Sequence, residues 1–142
     1  MNIRPAQPED RFALISLLNE LGYGNTDSFM DRRLRQLTDH PDEVLLVAEE
    51  RQTVLGFLSL HFIPQLALEG DFARISYFCI AEGERSKGLG QHLLQYAEQL
   101  ARERGCDRLE VHCHEKRIKA NQFYARENYI ESPRYLIKQL AP

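Results

Sequence analysis

The chain has 142 residues, enough for one domain with its own core, and 43% hydrophobic beside 27% charged residues is the balance of an ordinary globular protein. A net charge of −3 offers no basic field for nucleic acid, and no apolar run reaches membrane-spanning length, so neither nucleic acid nor a membrane is an expected partner. Met1-Asn2-Ile3-Arg4-Pro5 lacks a hydrophobic signal core, and Cys79, Cys106 and Cys113 are odd in number and lack metal or redox spacing; a reduced, cytoplasmic chain whose thiols act as small buried hydrophobes is the expectation.

Ile3-Arg4 opens as a short strand, halted by Pro5. Residues 12–21 carry apolar side chains at helical period and meet Gly22, a usual helix stop. After a loop over residues 22–26 a second helix runs to about Leu37, with Thr26 or Asp27 as its cap. Asp39-His40-Pro41-Asp42 is a turn. Residues 44–48 then form a strand, Glu50-Arg51-Gln52 its turn, and residues 54–63 the strand that returns. A longer connection over residues 64–71 precedes the central strand, Ile75-Ser76-Tyr77-Phe78-Cys79-Ile80-Ala81, rich in β-branched and aromatic residues.

That strand breaks at Glu82-Gly83-Glu84. Beyond Gly90 lies a helix whose residues Leu89, Leu93, Leu94, Ala97, Leu100 and Ala101 share one face. The unit is therefore strand, basic glycine-bearing loop, amphipathic helix. The first amides of a helix have no partner within it and carry the positive end of its dipole, so they attract an anion. Gly88 and Gly90 remove side chains that would keep a phosphate from the backbone, and Arg85 and Lys87 add charge beside it. A pyrophosphate-bearing ligand fits. The spacing is neither that of a P-loop nor the three-glycine dinucleotide fingerprint.

Gly105 ends the long helix. Residues 107–114 alternate with period two as a strand, and residues 119–128 form a helix ending at Asn128, which tolerates the left-handed conformation. Tyr129-Ile130 and Tyr135-Leu136-Ile137 give one or two last strands, with Ser132-Pro133 as the turn. No repeat or linker interrupts residues 1–142, which read as one domain.

Arg85-x-x-Gly88-x-Gly90 resembles the coenzyme A pyrophosphate loop of the GNAT superfamily of acyl-CoA N-acyltransferases. Ala120-x-x-Phe123-Tyr124-x-x-x-Asn128-Tyr129 resembles its closing motif, with Asn128 in place of a glycine. The resemblance implies an α/β fold of the α+β kind: a mixed, mostly antiparallel sheet with splayed central strands, flanked by about four helices. It implies that backbone groups of Phe78, Cys79 and Ile80 face the pantetheine and thioester of acetyl-CoA, one amide holding the oxyanion. Amides from Arg85 through Ser86, Lys87, Gly88, Leu89 and Gly90 to Gln91 would hold the pyrophosphate. Asn121 would bond the pantetheine, and Tyr124 would protonate the leaving thiolate.

The implied activity is transfer of the acetyl group of acetyl-CoA to a primary amine of a small molecule, by direct attack in a ternary complex and without a metal. Acetylation of a protein amine and a non-catalytic acetyl-CoA sensor are the rival readings. Relatives often carry a Glu three residues before the position of Ile80; this chain has Tyr77 there. The base is therefore open among Tyr77, Ser76 through water, His61 and His112. His112 and His114 share a strand face, but with no third ligand in view they read as a solvated face. The acceptor pocket of such folds lies near residues 22–35 and 64–74. Asp27, Asp31, Glu69 and Asp71 could hold an ammonium there, and Arg32, Arg33 and Arg74 a carboxylate, phosphonate or phosphate. The motif spacing looks most like acetyltransferases of aminoalkylphosphonates, polyamines or aminoglycosides. The edge of the last strand could pair with a second copy, so a homodimer is a further expectation.

Overall fold

Strand β1 (Asn2–Pro5) opens the chain and is followed by helices α1 (Arg11–Leu21) and α2 (Met30–Thr38). Three antiparallel strands come next, β2 (Glu43–Glu50), β3 (Thr53–Ile63) and β4 (Phe72–Ile80), then helix α3 (Leu89–Glu103), strand β5 (Leu109–Val111) and helix α4 (Ile118–Arg126). The computed structural model describes residues 1–142 apart from Ser86, His114, Pro133, Arg134 and Pro142. The chain divides into two compact units, Met1–His112 and Cys113–Pro142.

In the first unit the strands follow chain order, β1-β2-β3-β4-β5, antiparallel until β5 joins β4 in parallel. The mixed, mostly antiparallel sheet and the helices are those expected. Arg51 (φ 52°) and Gln52 (φ 65°) are both left-handed, the geometry of a two-residue turn whose twist suits a hairpin. One sheet face presents Val47, Phe57 and Cys79 to Leu14 and Leu17 of α1 and to Met30 and Leu34 of α2. By alternation Leu46, Leu58 and Leu60 face the other way, where α3 packs with Leu89, Leu93, Leu94, Ala97 and Ala101 buried.

Two local features hold these layers in place. Gly56 lies so near β4 that a Cβ there would sit 2.7 Å from Ile80 Cδ1 and 2.9 Å from the Cys79 carbonyl oxygen. Gly56→Ala is expected to destabilise by about 1–3 kcal/mol, since backbone must move to admit the methyl; an unchanged urea midpoint would contradict this contact. At the start of the chain, Arg4 donates to both carboxylate oxygens of the buried Asp10 (2.8 and 2.9 Å) and to Glu49 (2.8 Å), and the Gln7 amide donates to Asp10 at 2.7 Å.

Burial pushes the Asp10 carboxyl up, but the Arg4 and Gln7 donors outweigh it and hold it below the usual carboxylate range. Asp10→Ala is expected to cost about 2 kcal/mol near neutral pH. A depressed folded-state pKa contributes stability that is present above the unfolded value, near pH 3.9, and lost as pH falls through the folded one. The deficit of the variant should therefore shrink in acid. Urea melts at about pH 7 and about pH 3 check it, and equal deficits would remove the charge as the cause.

Several boundaries differ from expectation. Helix α2 begins at Met30 with Phe29 at its cap position, not after Thr26 or Asp27. Arg11 draws in the Asp27 carbonyl (3.0 Å) and the Asp31 carboxylate (2.8 Å), and Phe29 N–H bonds Thr26 O at 3.3 Å, so residues 27–29 are a turn. Thr26 is buried, its hydroxyl without a hydrogen-bond partner among the described residues. Helix α3 starts at Leu89, which puts Gly90 inside its first turn. Strand β5 covers only residues 109–111, so His112 lies outside it, and His114 falls outside the described residues. Cys79 is buried as expected, whereas Cys106 and Cys113 are half-buried.

The second unit contains α4 and a tail. Asn128 is left-handed (φ 71°), and Asn128 and Tyr129 N–H groups bond Ala125 and Tyr124 carbonyls at 3.1 and 2.9 Å, closing the helix as expected. The last strands expected at residues 129–130 and 135–137 do not form among the described residues, and Pro133 of the expected turn lies outside them. Side-chain propensity alone does not make a strand; a ladder partner does, and this unit has no second strand among its described residues. Ile130, Tyr135, Leu136, Ile137 and Leu140 stay exposed. No helix among the described residues is long and apolar enough to cross a membrane.

Candidate active site

The ladder between β4 and β5 covers Ala73–Leu109, Arg74–Glu110 and Ile75–Val111, and β4 then runs on through Ile80 beyond the last pair. The Cys79 side chain points into the core, with Sγ 3.6 Å from the Leu17 carbonyl oxygen, so Phe78 and Ile80 point to the opposite face. At the strand end Gly83 (φ 89°) turns the chain, and Gly88 (φ 81°) caps α3. Glycine takes that conformation without the strain a Cβ would bring, and among the described residues the nearest atom to a Cβ built at Gly88 would be His92 Cδ2 at 3.9 Å, so a Cβ there would meet no close contact.

The first closing bond of α3 runs from the His92 amide to the Gly88 carbonyl at 3.1 Å. The amides ahead of it have no acceptor within the helix, and Gly88 has no side chain to cap them, so this end suits an anion. Arg85 folds back and its Nε donates to the Ile80 carbonyl at 3.0 Å, tying loop to strand, while Lys87 pairs with Glu84 at 3.3 Å. Both cations are exposed, and a surface pair of this kind, worth about 0–1 kcal/mol, yields readily to a phosphate. The Glu82 amide donates to Glu20 Oε1 at 2.8 Å, which ties α1 to the same loop. The structure thus brings Phe78, Cys79, Ile80, Arg85, Lys87, Gly88, Leu89, Gly90 and Gln91 into one strand-loop-helix unit; Ser86 lies outside the described residues.

In the second unit Asn121 and Tyr124 sit three residues apart on α4. Asn121 Nδ2 donates to the Arg117 carbonyl at 2.9 Å. The Tyr124 ring meets Phe123 and Tyr129 edge-on at 5.4 and 5.7 Å, and burial, with Cys113 adding to it, pushes its phenol up to about 12.

Among the base candidates, His112 is exposed and off the strand, and Tyr77 is exposed with its ring edge-on to Tyr23 at 5.3 Å. His61 lies between two partners, its Nδ1 on Glu43 Oε2 and its Nε2 at 2.5 Å from Ser76 Oγ. Glu43 was missed from the sequence, because only the register of β2 on β3 sets it opposite His61. Of the acceptor candidates, Asp31 is paired with Arg11, Asp71 lies 3.7 Å from Arg104, and Arg74 pairs with Glu110 at 2.9 Å while stacking on Phe72. Arg33 lies over the Phe29 ring, and Asp27, Arg32 and Glu69 are exposed. A separate cavity of about 660 Å³ opens between α1 and the β2–β3 turn; Arg4, the cation in its lining, is already paired with Asp10 and Glu49, so it offers no anion site.

The description of the acetyltransferase (GNAT) family matches residues 12–129. An aminoalkylphosphonate N-acetyltransferase of Salmonella typhimurium is 30% identical over 132 residues, covering 92% of this chain and 85% of that protein. Among solved structures, a transcriptional regulator from Bacillus halodurans superposes with a TM-score of 0.89 at 22% identity, over 98% of this chain and 99% of that one. Glucosamine-6-phosphate N-acetyltransferase from Arabidopsis thaliana superposes at 0.87 with 20% identity, over 99% and 98%. Likeness at these identities carries the fold alone. The match across most of the chain, together with the 30% identical relative, makes this protein a member of the GNAT acetyltransferase family and an acetyltransferase enzyme.

Proposed function

We propose that the protein moves the acetyl group of acetyl-CoA onto the primary amine of a small molecule, by direct attack of the amine in a ternary complex. The observation that carries this reading is the glycine-capped start of α3, following a β4 that outruns its β5 partner. Amides from Arg85 to Gln91 would hold the pyrophosphate. Backbone groups of Phe78, Cys79 and Ile80, with the Asn121 side chain, would hold the pantetheine, and one of those amides the developing oxyanion. Bound acetyl-CoA supplies an activated acetyl thioester.

Tyr124 would hold a proton for the leaving sulfur. A phenol at about 12 keeps that proton at every working pH and stabilises developing negative charge by donating a hydrogen bond to it. The 30% identical relative is named for aminoalkylphosphonates, which supports a short amine carrying an anionic group. Arg32 and Arg33 are the proposed anion partners ahead of Arg74, which already pairs with Glu110; Asp27 and Glu69 are proposed for an ammonium ahead of Asp31 and Asp71, which already face arginines.

The test is calorimetric titration with acetyl-CoA, coenzyme A and a phosphate-free pantetheine analogue, followed by thiol release across short amines, aminoalkylphosphonates and peptides. Binding that needs the pyrophosphate, with release by a small amine, is expected. Release by peptides alone would overturn the small-molecule reading, and no binding would remove the loop assignment.

A further inference from the structure

We propose that Ser76, His61 and Glu43 form a proton relay across three strands, which takes the proton from the acceptor's ammonium group at the bulge of β4. The inference rests on amine acetylation as the reaction. In β3–β4 the register runs from Ser59–Tyr77 directly to Leu60–Ile75, so Ser76 is an extra residue with no counterpart across the ladder. Such a bulge re-aims side chains, and Ser76 and Tyr77 are consecutive exposed residues directed to the α1–α2 face. The contacts show that direction: Ser76 reaches His61, and Tyr77 reaches Tyr23 in the loop after α1.

Behind Ser76, His61 is three-quarters buried and fixed at both nitrogens. Glu43, opposite it on β2, meets Nδ1; an ionised carboxylate can only accept there, so in the relay the neutral ring carries its proton on Nδ1 and turns the Nε2 lone pair toward the Ser76 hydroxyl. Arg74, opposite His61 on β4, is turned away to Glu110. The order serine, histidine, carboxylate is that of a base oriented by a third group. The exposed ring of Tyr77, beside Ser76, offers a face on which an ammonium can rest by cation–π attraction.

An ammonium loses two protons on becoming an amide. The first passes to Ser76 Oγ as the Ser76 hydroxyl proton moves to His61 Nε2, while Nδ1–H stays on Glu43. The freed amine lone pair forms the C–N bond to the acetyl carbon of the thioester substrate, and the C–S bond breaks with its electron pair on sulfur. The second proton ends on that sulfur, and His61 returns the first to solvent.

The test joins nitrogen-15 NMR of the His61 ring with kinetics of three variants. In the unaltered enzyme the neutral ring should carry its proton on Nδ1; a proton on Nε2 would point the relay the wrong way and overturn it, whatever the turnover. His61→Gln should lower kcat about 10²-fold with the acetyl-CoA dissociation constant held, and added imidazole should restore part of the turnover of His61→Ala. Glu43→Gln should lower kcat, and Glu43→Asp should recover part of it, which a merely structural carboxylate would not do in kcat alone. A His61→Gln enzyme within about threefold of the unaltered kcat overturns the relay alone, being far short of the loss expected for a lost base. No turnover of any amine by the unaltered enzyme overturns the amine reading and the relay together.

Discussion

Gly88→Glu is expected to weaken acetyl-CoA binding by at least about 100-fold, close to 3 kcal/mol. Gly88 stands at φ 81° as the cap of α3, at the positive end of a helix of 15 residues. A glutamate there adds bulk where the phosphates are proposed to lie, and its carboxylate takes up the helix end that would hold them. It also carries the left-handed strain of a residue with Cβ, about 1–2 kcal/mol, which acts on stability rather than on the ligand. Gly88→Ala separates the two effects, having the strain without the charge, and should bind within about tenfold of the unaltered protein. Calorimetry with a parallel thermal melt reads both variants. Tight binding by a folded Gly88→Glu protein would show that the helix start is only a turn.

Tyr124→Phe is expected to lower kcat about 10²-fold, the low end of what a positioned proton donor contributes, while acetyl-CoA binds as before. Phenylalanine keeps the ring contacts with Phe123 and Tyr129, so the melting temperature should hardly move. Because burial keeps the phenol protonated up to about 12, ionisation of Tyr124 should impose no alkaline limit on turnover below that pH. Steady-state rates with a thiol-release readout check the first claim and their pH dependence the second. An unchanged kcat would take Tyr124 out of the chemistry and leave it as a packing aromatic.

The local devices were legible in the residues. Helix α3 follows from apolar side chains recurring every three or four positions, a pattern that only a helix can turn to one side. Gly22, Gly105 and Asn128 end helices because each stands where a left-handed residue must, and all three adopt positive φ. The anion-binding start of α3 is local too, since strand, loop and helix are contiguous and its glycine needs no distant partner. The start of α2 was less so: Thr26 has a capping side chain, but Arg11 from another helix gathers Asp27 and Asp31 and moves the first turn onward.

The tail after Asn128 and the row behind Ser76 were beyond reach of the residues alone, for one physical reason. A strand is defined by its neighbour. Tyr135-Leu136-Ile137 has the composition of a strand and forms none among the described residues, because composition supplies no ladder. Conversely, nothing in the local sequence around Glu43 marks it. The irregularity between Ala48 and Glu49 shifts the β2–β3 register so that Glu43 faces His61, and a second one beside Ser59 frees Ser76 from the ladder. A slip of one residue at either place would send these side chains to opposite faces of the sheet. Helix periods and glycine stops are properties of neighbours along the chain; Glu43, His61 and Ser76 became neighbours only when three strands set their register against one another.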